Sequence, residues 1–150
     1  MRRHGAHLFR PSLARLRWTG AVPIAADESV RDLGAARVLL DSSAVDALVV
    51  KPARVGGLRQ ANAIVELATA ASIPVTVSTL FETGVGLAGA LHLAATAPGP
   101  QAHGLATAGL LRSDLLREPL AVVDGRMAAP EGPGLGIELD EVAIERYRIR

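Results

Sequence analysis

Short apolar runs alternate with longer amphipathic stretches from residue 20 onward. VPIAA (22–26), ALVV (47–50) and IPVTVS (73–78) have the length and composition of buried strands. Between them, apolar residues recur at helical spacing. Val30, Leu33, Ala36, Val38 and Leu40 predict a helix over about 30–41. Gly56-Gly57 open a second helix of about sixteen residues, with Leu58, Ala61, Ile64, Val65, Leu67 and Ala68 on its apolar side. A third covers about 84–97 through Val85, Leu87, Ala88, Leu91 and Leu93, and LARLRW near the start reads as part of a helix leading into the first strand. HGLAT (103–107) reads as a fourth strand or its outgoing loop, and LLRSDLL (110–116) as a short helix.

The predicted strands end at Asp27, Lys51 and Ser78, which stand 24 and 27 residues apart. That pitch is one strand plus one crossover helix, so the chain is α/β with a parallel sheet covered by helices. A doubly wound sheet and a (β/α) barrel both fit, and in either the chemistry sits at the C-terminal ends of the strands. From Glu118 the helical pattern stops. PLAVVDGRMAAP predicts a hairpin around Asp124-Gly125. GPGLG (132–136) reads as a rigid turn, and ELDEVAIERY as a short helix.

Composition narrows the classes. The 150 residues form one domain with enough apolar content, 49%, to bury a core. No apolar run reaches the length of a membrane span. The chain has no cysteine, which removes disulfide and thiolate chemistry and suits a cytoplasmic protein. The net charge of +1 argues against a nucleic-acid surface. The charge is nevertheless uneven. Residues 1–26 hold Arg2, Arg3, Arg10, Arg15 and Arg17 and no acid, whereas the rest holds eleven basic and fifteen acidic residues.

Lys51 is the single lysine among sixteen basic residues. Arginine satisfies a surface equally well but stays charged. A lysine flanked by Val49, Val50 and Pro52 at a strand end therefore points to chemistry that needs a compact, tunable amine. Asp27, at the neighbouring strand end, has two readings: an oxygen ligand for a hard cation such as Mg²⁺, or a cap for the helix that follows. GVGLAG (84–89) has the spacing of a phosphate-binding turn. Glu82 stands just before it, where pyrophosphate disfavours a carboxylate, and close packing of small residues is the better reading. His92 reads as a structural polar contact, while His4 and His7 give no metal-ligand spacing.

Five segments in order, VPIAADESV, VVKPARVGG, VSTLFETGVGLAGALHLAA, HGLATAGLLRSDLL and PEGPGLGIELDEVAIERY, resemble the C-terminal part of the enolase superfamily. The similarity is to its muconate-lactonizing and o-succinylbenzoate synthase branch. It implies a partial (β/α) barrel of about four βα units, with a C-terminal tail that in the family reaches a capping domain. On that basis residues 1–11 are an unassigned basic start, 12–117 the C-terminal half of the barrel and 118–150 the tail, which is expected to pack poorly or be mobile. The resemblance implies that Asp27 is a ligand of the catalytic Mg²⁺ and Lys51 a catalytic lysine. It also implies that Ser78, Thr79, Glu82, Gly56, Gly57, His103, Gly104 and Leu105 line the pocket of a small carboxylate substrate. The shared chemistry is removal of a proton next to a carboxylate, with the enediolate stabilised electrostatically. STLFET and HGLAT are most similar to o-succinylbenzoate synthases, which dehydrate a cyclohexadiene carboxylate in menaquinone synthesis. N-acylamino-acid racemases, dipeptide epimerases and muconate cycloisomerases are the alternatives.

The family also uses another lysine and two earlier acidic metal ligands. This chain has no second lysine and no Asp or Glu before Asp27. The expectation is a truncated, inactive fragment whose open half-barrel needs a partner, such as another copy, to cover its edges. A non-catalytic binding or assembly module is the reading from another class.

Overall fold

The computed structural model describes residues 9–149. Helix α1 (Phe9–Trp18) leads into strand β1 (Ala25–Ala26), followed by α2 (Leu33–Asp41), β2 (Ala47–Val50), a four-residue helix α3 (Pro52–Val55), α4 (Leu58–Ala70), β3 (Val75–Val77), α5 (Gly84–Thr96) and, near the end, α6 (Glu141–Tyr147). The strands form one parallel sheet in the order β1-β2-β3. A single parallel bridge between Ser78 and Gly104 adds the start of a fourth strand. The α/β, parallel, partial-barrel expectation is met.

In a parallel sheet with its strands in sequential order, crossovers of one hand put the helices on one side. The burial pattern agrees. Ala26, Leu48, Val50, Val75 and Val77 are buried in one core with Ala36, Leu39, Ala61, Ile64, Ala68, Leu87 and Leu91. The alternate strand residues Ala25, Ala47, Val49 and Thr76 remain half-buried or exposed on the opposite face. Alanines at the helix–sheet and helix–helix contacts allow close approach, so a core almost free of aromatics still packs.

Several local expectations change. The first strand is shorter than 22–26, because Pro23 has no N–H to donate and Val22 stays exposed. Helix α2 begins at Leu33, with Asp32 as its cap, accepting from the Ala35 N–H at 2.7 Å. Val30 is buried in the preceding loop. The sixteen-residue helix after Gly56-Gly57 is α4, of thirteen residues, and α3 precedes the glycines. Pro52 starts α3 and Gly56, at φ +102°, ends it in the left-handed region that glycine adopts without strain.

LLRSDLL is not a helix. A 3-10 turn spans Ala108–Leu110, and Leu116 then bridges Leu139 antiparallel. Asp114 and Ser113 turn their side chains onto the N–H groups of Leu116 and Leu115, which favours a turn over a helix. Asp124 and Gly125 form the expected tight turn, both at positive φ, but only Val123 and Arg126 pair across it. The helix expected in ELDEVAIERY is α6, capped by Asp140 on the N–H groups of Val142 and Ala143. No described residue after Leu116 is fully buried. Leu120, Met127 and Ala129 rest against the core, and the His92 ring meets the Leu135 carbonyl at 3.1 Å, tying the tail to α5.

Candidate functional site

Asp27 and Lys51 directly follow β1 and β2 on adjacent parallel strands; the register pairs Ala25 with Ala47 and Ala26 with Leu48, so Lys51 stands two residues beyond the position opposite Asp27. Period-two alternation turns both onto the open face, with Ser78 after β3. Lys51 Nζ donates to Asp27 Oδ2 at 2.8 Å and lies 2.7 Å from Oδ1, which is buried and accepts no hydrogen bond. The lysine side chain is 12% exposed and that of Asp27 34% exposed. Glu28 Oε1 lies farther from Nζ, at 3.9 Å. Asp32, not Asp27, caps α2, so the carboxylate of Asp27 is directed at Lys51.

The next layer fastens the fourth strand. The Ser78 hydroxyl donates to the Gly104 carbonyl at 3.1 Å, the Gly104 N–H to Val77 at 2.9 Å and the Thr79 N–H to Gly104 at 3.1 Å. A Cβ on Gly104 would stand 2.9 Å from Ser78 Oγ, so a side chain here would displace the Ser78 hydroxyl from its bond to the Gly104 carbonyl. Thr79 is buried, and its hydroxyl bonds that of Thr107 at 2.7 Å. His103 Nδ1 accepts the Val77 N–H at 3.1 Å. Leu105 sits in the core. Of the residues singled out by sequence, the structure thus brings Asp27, Lys51 and Ser78 onto one face. Thr79, His103, Gly104 and Leu105 make framework contacts, while Gly56 and Gly57 form the turn between α3 and α4.

Glu82 leads into α5. Its Oε2 is shielded from solvent with no hydrogen-bond partner. The three glycines of GVGLAG are explained by packing. A Cβ on Gly84 would collide with Leu116, one on Gly86 would lie 2.6 Å from Glu82 Cβ, and one on Gly89 would lie 3.2 Å from Leu58 Cδ1.

Sequence reasoning missed a second ionic junction, at the opposite ends of the strands. Asp46 accepts from Arg17 Nε at 2.7 Å and from the Ile24 N–H at 2.8 Å, while Arg17 also donates to the Ser43 carbonyl. The Ile24 N–H first, and then Arg17, hold the Asp46 carboxyl below its ordinary range. The signal was present, since Arg17 and Asp46 flank the first two strands. Nothing in periodicity pairs residues 29 apart.

The resident residues do not fit Mg²⁺. The cation would share one carboxylate already engaged by an ammonium, and no group of three or more His, Cys, Asp or Glu among the described residues could hold a metal.

A parallel α/β sheet with helices on one side and an acid and an amine at successive strand ends has the arrangement of part of a (β/α) barrel. A family profile described as "Enolase C-terminal domain-like" matches residues 9–143, and the chain belongs to that family. It is 36% identical over 137 residues to muconate cycloisomerase 1 of Rhodococcus opacus, covering 90% of this chain and 36% of that protein. It is 44% identical over 114 residues to the o-succinylbenzoate synthase of Thermobifida fusca (strain YX), covering 75% of this chain and 35% of that one. The solved muconate cycloisomerase from Pseudomonas fluorescens superposes with a TM-score of 0.89 at 30% identity, over 95% of this chain and 40% of that one. The chain therefore spans about a third of the length of these curated relatives.

Proposed function

We propose that this chain carries the Asp27–Lys51 half of an enolisation site, of the o-succinylbenzoate synthase type. In this reading the Lys51 ammonium faces the negative charge of a small carboxylate substrate and of the enediolate formed from it. Asp27 holds the ammonium in place. The single observation behind the reading is the two-point contact of 2.7 and 2.8 Å between groups on neighbouring strand ends. The 44% identity to an o-succinylbenzoate synthase favours dehydration over the other reactions of the family. Cycloisomerisation is the second reading, favoured by the 0.89 TM-score to a muconate cycloisomerase. Racemisation is a further alternative, from the 36% identity over 138 residues to an N-succinylamino acid racemase of Thermus thermophilus.

Turnover needs more than this chain offers. A base must take the substrate proton, and the one lysine is held by the Asp27 carboxylate. We therefore expect the isolated chain to be inactive. The test is calorimetric titration with millimolar Mg²⁺ together with an assay for dehydration of the cyclohexadiene carboxylate. The expected result is neither saturable Mg²⁺ binding nor turnover. Saturable binding with turnover would overturn the half-site reading.

A further inference from the structure

A groove of about 550 Å³ lies between α5, the segment leading into Gly104 and the turn at Asp124-Gly125, with every described lining residue between 91 and 129. Leu91 and Leu105 of its walls belong to the core on the helix side of the sheet, whereas Asp27 and Lys51 face the other side and do not line it. Most of the lining is apolar, Met127 included, with a few polar side chains among it, which is the composition of a small-molecule site. The polar groups differ in how far they are committed. Gln101 spends its amide N–H groups on the Val75 and Pro98 carbonyls, at 2.9 and 2.8 Å. His103 Nδ1 accepts the Val77 N–H, so the proton of the neutral ring sits on Nε2, and that donor has no partner among the described residues. The Arg126 guanidinium also makes no ion pair or side-chain hydrogen bond among them. No Asp or Glu among the described residues lines the groove. Asp124, in the same turn as Arg126, stays outside it, and in the adjoining cleft Arg112 and Asp114 offset one another.

We propose that this groove is a second ligand site, for a free monocarboxylate with an aliphatic body. The apolar walls at Leu91, Leu105 and Met127 take the body, and its burial supplies most of the affinity. The carboxylate accepts from Arg126 and from His103 Nε2–H, two donors that nothing in the described chain satisfies. An uncharged molecule of the same shape leaves both donors unpaired, and a cation meets the Arg126 charge with no acid to offset it. The site is separate from the Asp27–Lys51 pair and stands whatever reaction belongs to that pair.

The sequence supplies its own reporters. Met1 and Met127 are the two methionines and Lys51 the one lysine, so methyl-¹³C-methionine and ¹⁵N-lysine labelling place one signal at each site. Octanoate should shift the Met127 methyl saturably, with half-saturation at about 1–5 mM. Octanamide, which keeps the body and drops the charge, and acetate, which keeps the charge and drops the body, should each bind about fivefold more weakly or worse. Arg126→Gln, which leaves the Val123–Arg126 main-chain pairing in place, should weaken octanoate binding by about the same factor. A Met127 methyl unmoved by octanoate, equal affinity for octanamide, or full affinity in Arg126→Gln would each overturn the proposal. So would a Met127 shift with phosphatidylglycerol vesicles and none with octanoate, which makes the occupant a membrane surface. An octanoate-induced shift of the Lys51 ammonium with Met127 unmoved would also overturn it, while supporting the strand-end site. The octanoate and octanamide titrations use the wild-type chain, so they decide the matter even if Arg126→Gln does not fold.

Discussion

Asp27 has one ionic partner within hydrogen-bonding distance, and so has Lys51. Replacing Lys51 with methionine keeps most of the volume and leaves a half-buried carboxylate without its cation. Because Asp27 is about a third exposed, water recovers part of the loss. The expected destabilisation is about 1–2 kcal/mol, read from urea unfolding. Asp46 makes a prediction of a different kind. Its folded carboxyl ionises below the ordinary 3.8, so its contribution to stability is complete above that pH and is lost as pH falls through the lowered value. Asp46→Asn should flatten the acid limb of the stability profile below pH 3.8 and loosen α1 first. Hydrogen exchange of the α1 amides across that window checks both statements.

At the scale of elements, the strands carry the core and the glycines fit the helices onto it. Leu48 is fully buried at the centre of β2, so Leu48→Ala should cost about 3 kcal/mol or more through lost burial and the cavity left behind. Gly84→Ala forces a methyl into Leu116, where the chain after the 3-10 turn crosses the start of α5, and should cost about 1–3 kcal/mol in thermal or urea unfolding. β2 was legible as a short unbroken apolar run and α4 because its apolar residues recur on one side, whereas α5, buried around most of its surface, was legible from the length of its apolar stretch. The stretch 110–116 was not. Its apolar spacing is helical, but Ser113 and Asp114 close local side-chain-to-backbone bonds that compete with the helix. Within the candidate site, the placement of Asp27 and Lys51 followed from strand pitch, whereas the choice of Asp32 as the α2 cap did not. Both Asp27 and Asp32 stand before the helix, and only the loop that buries Val30 decides between them. The Thr79–Thr107 hydroxyl pair was likewise invisible, since it joins residues 28 apart through tertiary packing.

For the molecule as a whole, one face of a parallel sheet stays open, and the chain matches about a third of its relatives' length. Stability is then tied to whatever closes that face. The central claim is more local: Asp27 and Lys51 act as one unit at the strand ends. A single lysine in the chain means that ¹⁵N-lysine labelling gives a single side-chain ammonium resonance. That resonance should shift in the Asp27→Asn protein and stay in place in Asp46→Asn, whose carboxyl lies at the other end of β2. An ammonium signal unmoved by Asp27→Asn would contradict the pair and the half-site built on it.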